Sequence, residues 1–213
     1  MGQKVNPFGF RLGPVYTWRS RWFAAKNDVY SKQLLEDHQI RKYLMDKLKP
    51  AGVAKVEIER SFDKRTIHVF VSRPGVAIGR GGTGIEQLKA EMLKKFKISD
   101  AGKLEIKFEE VKIPDTNAYL MAVNISDQLA RRIPFRRIMN QSLERAKRSG
   151  AKGVRISLSG RLGGSEIARR ETIKEGAIPL HTIRANIDYA KLDSQVPKSG
   201  IVGIKVWILK DEV

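Results

Sequence analysis

The sequence of 213 residues contains no cysteine. That excludes disulfides, thiolate metal sites and a catalytic thiol. His38, His68 and His181 are the only histidines and no two lie close in sequence, so a zinc centre is not expected. No apolar run approaches the roughly 18 residues of a membrane helix. Residues 1–7 lack the apolar stretch of a secretory signal. Acidic residues are outnumbered, 23 Asp and Glu against 41 Lys and Arg, for a net charge of +18. Hydrophobic residues still make up 41% of the chain, enough for a true core and too many for a disordered basic tail.

The positive charge is spread along the chain. Residues 1–34 carry a net +5, residues 35–112 a net +5 and residues 113–213 a net +8. The steepest excess runs from Arg131 to Arg161, where ten basic side chains meet Glu144 alone. Mutual repulsion on that scale destabilises a fold unless a polyanion relieves it. Phosphate backbones are the commonest such polyanion and favour arginine forks. A membrane surface would call for a basic amphipathic helix beside a lipid signal, and no such signal is visible.

Hydrophobic periodicity predicts an α/β (α+β) chain in three parts. Residues 1–34 mix Lys4, Arg11, Arg19, Arg21 and Lys26 with Phe8, Phe10, Tyr16, Trp18, Trp22 and Phe23, broken by Pro7, Gly9, Gly13 and Pro14. They read as an extended arm, packed on its own domain or laid along RNA. Residues 35–112 read helix (35–48), strand (53–60), a turn at Phe62-Asp63-Lys64, strand (66–72), a short apolar turn, a glycine loop, a helix from Ile85 and a strand (104–108). Lys89, Lys94, Lys95 and Lys97 take the outer faces of that last helix. Residues 113–213 read as a second, two-layer α/β domain with a mixed sheet. Pro114-Asp115-Thr116 opens its first helix and Pro134 its second, with Gly150 as cap. On the second helix Arg137, Arg145 and Arg148 face away from the apolar stripe, with Arg136 on its flank. Strands follow at 154–158, 167–178, 181–189 and 201–209, with Trp207 in the core and His181 in a loop.

Gly79-Arg80-Gly81-Gly82-Thr83-Gly84 matches G-x-G-x-x-G. A dinucleotide site does not follow, because Pro74 and a short apolar turn separate the strand from the glycines. A phosphate-binding Walker loop also fails, since Ile85-Glu86 stand where Lys-Ser/Thr is required. Ile78 to Ile85 fits I-G-x-x-G-x-x-I, the pattern of KH RNA-binding domains, better. Glycines there let the chain approach a phosphate backbone, and Arg80 can pair with it. The extra helix and strand ahead of the unit make it type II.

Longer motifs resemble the ribosomal protein S-three family of the small subunit. They include Met1 to Pro7 with Arg11-Leu12-Gly13, Arg73-Pro74-Gly75, Arg131-Arg132 with Phe135-Arg136-Arg137, and Gly150 to Gly153. Ser159 to Arg169, Pro179 to Ala185 and Gly203 to Ile208 complete the set. The resemblance implies a structural constituent of the small-subunit head, with small-subunit rRNA, mRNA at the entry channel and neighbouring head proteins as partners. It implies no cofactor, metal, membrane or small-molecule substrate. Gly79, Arg80, Gly81 and Gly82 then form the KH loop. Arg131, Arg132, Arg136, Arg137, Arg145 and Arg148 form the basic patch at the mRNA-entry side. Lys4, Arg11, Arg19, Arg161 and Arg169 are further rRNA candidates. Location is expected to be the bacterial cytoplasm, with a plastid or mitochondrial ribosome as alternative. Many bacterial members add a basic C-terminal tail, whose contacts are not expected here. A nuclease would need grouped carboxylates, for which Glu57 with Glu59 and Glu109 with Glu110 are the candidates. A free KH regulator is the remaining alternative.

Overall fold

The computed structural model describes residues 3–61, 64–96, 104–197 and 199–210, apart from the Arg80 side chain. The expected turn residues Phe62 and Asp63, Lys97 and the two chain ends lie outside that set. The chain divides into two compact units. One is Trp18–Lys112; the other joins Met1–Thr17 to Ile113–Val213. The segment 1–34, expected as a single arm, is therefore shared between them.

In the 18–112 unit a four-stranded sheet has the order β1-β2-β3-β4: Ser20–Arg21, Val53–Arg60, Arg65–Val71 and Leu104–Glu110. β1 runs parallel to β2, β2 antiparallel to β3, and β3 parallel to β4. Ile40 and Leu44 of one helix and Leu88 and Met92 of another close over the inward residues Val56, Ile58, Ile67, Val69 and Leu104. The first of these helices is α2 (Asn27–Lys47), which starts eight residues ahead of the expected helix. Its leading turns carry Val29, Tyr30 and Leu34 on an exposed surface, so no buried stripe announces them. α1 (Pro7–Phe10) belongs to the other unit. Pro7 there sits at the first helical position, where its missing N–H is harmless, and the Asn6 side chain accepts from Phe8 N at 2.9 Å.

In the second unit both long helices precede every strand. α5 is Ala118–Ala130 and α6 is Phe135–Arg148. The turn Pro114–Thr116 is 3-10, and the helix itself is capped by Asn117, whose Oδ1 accepts from Tyr119 N and Leu120 N at 3.1 Å. The sheet order is β6-β5-β8-β7, from Arg169–Gly176, Gly153–Gly160, Gly200–Leu209 and Ile187–Val196. All three pairings are antiparallel. The expected mixed sheet is thus incorrect, because no strand–helix–strand crossover separates the strands. The strand expected at 181–189 begins instead at Ile187 and runs to Val196. Ile125, Ile138, Met139, Val154, Ile156, Leu158, Ile204, Val206 and Ile208 fill the space between helices and sheet. β5 and β6 meet closely at Gly153 and Gly176: a Cβ on Gly153 would lie 2.2 Å from the Ala177 carbonyl oxygen.

Candidate nucleic-acid interface

The glycine loop joins α3 (Pro74–Ile78) to α4 (Thr83–Phe96). Gly79, Gly81 and Gly82 have φ of +73°, +64° and +81°, a region that disfavours side chains. Two roles separate here. Gly84 serves packing, since a Cβ there would lie 2.8 Å from the Ile78 carbonyl oxygen. At Gly81 and Gly82 nothing lies within 4 Å of an added Cβ. These two glycines keep the turn's outer surface bare and leave room for a ligand backbone. The Arg80 side chain is outside the described residues.

The basic patch begins where α5 ends. Arg132 N donates to Leu129 O at 2.9 Å and Ile133 N to Gln128 O at 3.2 Å, a helix stop that wants a left-handed residue at its centre. That residue is Arg132, with φ +60°, the one non-glycine residue of positive φ among the described residues. α6 ends on the same pair of bonds, Gly150 N to Lys147 O and Ala151 N to Ala146 O, with the expected Gly150 at φ +90°. One chain thus closes the same motif once with glycine and once with arginine.

Pro134 precedes α6 with an extended ψ of 125° rather than joining its first turn, so the two helices are separate. Arg136 and Arg137 then occupy the first turn, which holds no acidic residue. Cations there oppose the helix dipole, at about 0.3–1 kcal/mol each. The Phe135 ring gathers the site. Arg136 lies 5.8 Å from its centroid, and Arg169, from the start of β6, lies 5.6 Å away. Arg131, Arg132, Arg136 and Arg137 are all exposed, and Arg169 joins them from a distant part of the sequence. Arg145 and Arg148 are also exposed but sit two and three turns further on, about 12 and 16 Å along the axis. Arg148 pairs there with Glu144 at 3.3 Å.

Three other candidates differ. Lys4 is exposed. Arg161 is exposed and its Nε donates to Ser165 O at 2.9 Å. Arg19 is exposed, and its carbonyl accepts from Ile58 N. Arg11, by contrast, cannot reach RNA: it is fully buried. Its guanidinium donates to the carbonyls of Pro7, Pro179, Leu180, Thr182 and Ala185, at 2.6–3.3 Å. Burial pushes its pKa down, with the Tyr16 phenol partly opposing this. His181 is exposed beside that cluster, and the carbonyls around it are what the loop contributes. Of the N-terminal aromatics, Phe8 stacks on Tyr16 at 5.0 Å, while Trp18 and Phe23 are 68% and 91% exposed.

Three of the four paired carboxylates are engaged by bases. Glu57 is largely buried and takes Lys55 at 2.6 Å and Arg21 at 3.3 Å. Glu59 pairs with Arg21 at 2.7 Å, and Glu109 meets His68 at 2.7 Å. Among the described residues no cluster of His, Cys, Asp or Glu could hold a metal ion.

Trp207 was not legible as a surface residue. It is expected in the core, yet the inward positions of β8 are Ile204, Val206 and Ile208. Trp207 lies on the opposite face, half-buried, 5.3 Å from the Tyr189 ring and with the Arg155 guanidinium 5.1 Å from its own. Strict alternation in 204–208 was the signal that could have placed it.

A family model for the C-terminal domain of ribosomal protein S3 matches residues 125–208, and a KH-domain model matches residues 39–116. Among curated proteins the chain is similar to small ribosomal subunit protein uS3 of Clostridioides difficile (strain 630), 50% identical over all of this chain and 77% of that protein. It is 50% identical to the uS3 protein of Desulfosudis oleivorans over all of this chain and 96% of that one. The uS3 protein of Syntrophobacter fumaroxidans is 49% identical, with 100% and 99% covered. No helix among the described residues is long and apolar enough to cross a membrane.

Proposed function

The chain belongs to the small ribosomal subunit protein uS3 family, and on that premise we propose that it is a structural constituent of the small-subunit head in the bacterial cytoplasm. In this reading it binds small-subunit rRNA and neighbouring head proteins, and lends the arginines between α5 and α6 to the mRNA-entry site. The family is structural, and no catalytic step is assigned. The observation that carries the finer reading is Arg132. A left-handed non-glycine residue costs roughly 1–2 kcal/mol, and the same chain uses glycine at the matching point of α6. An arginine held there at that cost is supported by use of its side chain, and Arg131, Arg136 and Arg137 lie within a few residues of it.

Arg132→Gly separates the two effects. It keeps the backbone and relieves the strain, so the purified protein should gain about 1 kcal/mol in urea unfolding. Small subunits carrying it should translate through a downstream mRNA hairpin several-fold more slowly, with unstructured mRNA unaffected. If hairpin and unstructured messages are read at parental rates, the entry-site assignment fails.

The KH loop is assigned to rRNA. Gly82→Asp places a carboxylate in open space, at a φ of +81° where a non-glycine residue costs roughly 1–2 kcal/mol. It should weaken binding to small-subunit rRNA about tenfold or more at physiological salt, with the circular dichroism melt lowered by only several degrees, short of unfolding the unit. Gly79→Asp is a poorer probe, because its Cβ would meet Gly84 N at 3.2 Å. Unchanged affinity in Gly82→Asp would leave the loop as a packing turn only.

A further inference from the structure

We propose that the open face of the β6-β5-β8-β7 sheet, turned away from α5 and α6, is a second RNA-binding surface that takes a single-stranded segment.

Register defines the face. Arg155 of β5 pairs with Lys174 of β6 on one side and with Trp207 of β8 on the other, and Trp207 pairs with Tyr189 of β7. The next row is Thr172, Ser157, Lys205 and Lys191; the one after it is Arg170, Ser159, Gly203 and Asp193. Their alternates Val154, Ile156, Leu158, Ile204, Val206 and Ile208 are buried against the helices. These rows therefore stand on the side turned away from α5 and α6, beside Ile187, which is itself fully buried.

The chemistry of the rows fits one class of partner. They hold five cations, Arg155, Arg170, Lys174, Lys191 and Lys205, against Asp193 alone. The carboxylates of β6 go to the other side, where Glu175 meets Lys147 of α6 and Glu171 meets Arg169. None of the five cations has a carboxylate partner among the described residues, and the Arg155 Nε is buried with no acceptor. In the first row, on β8 and the edge strand β7, lie two half-buried aromatic rings, Trp207 and Tyr189. An acidic peptide would use the cations and have no need of the rings. Single-stranded RNA uses both, with phosphates on Lys and Arg and bases on the ring surfaces. The row from Lys174 to Tyr189 crosses four strands, about 14 Å, room for two or three bases. The surface needs neither the Arg132 patch nor the glycine loop, so it stands or falls apart from the reading above.

The test uses the full chain and a fluorescent oligouridylate of about twelve nucleotides. It is run in the natural background and in Arg131→Gln/Arg132→Gln. Lys191→Glu/Lys205→Glu leaves the core and Trp207 in place. In both backgrounds it should weaken binding tenfold or more and flatten the log K against log salt slope by about 1.4, the value for two lost phosphate contacts on a single strand. Trp207→Leu should weaken binding about fivefold or more, as loss of one stacked base would. Ultraviolet crosslinking of the natural protein should attach uridine to Trp207 or Tyr189. The proposal is overturned if the double charge variant binds as the parent does in both backgrounds. It is also overturned if polyglutamate of matched charge displaces the oligonucleotide equally well, which would make the face a site for an acidic protein. Should Trp207→Leu fail to fold, the charge variant and the crosslink decide.

Discussion

Arg11→Met should destabilise the 1–17/113–213 unit by about 3–5 kcal/mol, the scale of a broken buried polar network. The side chain is fully enclosed and faces five carbonyl oxygens, from Pro7 within its own segment and from Pro179, Leu180, Thr182 and Ala185 across the unit. No carboxylate neutralises it in these bonds. Oriented backbone dipoles do so instead. Methionine fills much of the volume and leaves the enclosed Pro7 and Ala185 carbonyls, and three part-buried ones, without their donor. Lysine would restore only part of the loss, because three rotating donors cannot span acceptors that a planar fork holds together. Calorimetry should show a melting transition lower by roughly 10 °C. Proteolysis should also cut within residues 3–17 before the rest of the unit. A transition shifted by less than about 2 °C would mean that the carbonyl cluster is satisfied without the guanidinium.

Asp37→Ala should cost the other unit about 3–5 kcal/mol. Asp37 is fully buried on α2. Its Oδ1 accepts from Arg60 Nε at 2.9 Å and from Arg60 Nη2, and its Oδ2 accepts from Trp22 Nε1 at 2.7 Å. The Arg60 side chain is only 7% exposed and takes Glu36 at 3.1 Å as its second partner. Alanine strands an enclosed guanidinium with half its compensation and leaves the indole N–H without an acceptor. Asp37→Asn keeps the shape and one acceptor oxygen, so its loss should be clearly smaller. Urea unfolding followed by tryptophan fluorescence reads both. Equal losses in the two variants would assign the effect to packing rather than to charge.

What was legible in the sequence follows what water sorts. β2, β3, β5 and β8 alternate in hydrophobicity because one side of each is buried, and α6 shows a stripe because Ile138, Met139, Leu143 and Ala146 face a core. The first turns of α2 were not legible, since their apolar residues are exposed. The true span of β7 was hidden because its buried positions include Ser194 beside Ala190. Among the residues proposed for the site, Arg131, Arg132, Arg136 and Arg137 stand out in the sequence by their density. Arg169 could not be grouped with them, because Phe135 gathers it through space. Arg11 was misread for a chemical reason: a guanidinium offers the same fork to a phosphate and to a ring of carbonyls, and only enclosure tells the two apart. Arg155, Lys191 and Lys205 could not be grouped from the sequence, because cations scattered along three strands become a cluster only once the register is known.

The return of residues 1–17 to the unit that ends the chain sets an order of assembly. During synthesis the 18–112 portion is complete before any of α5 has been made. Arg11 meanwhile waits for acceptors that are 168–174 positions downstream. At about 5–20 residues per second that delay is on the order of 10–30 s. Throughout it the amino-terminal stretch trails unattached from a finished neighbour, open to chaperones and proteases, until the last third of the polypeptide arrives to claim it.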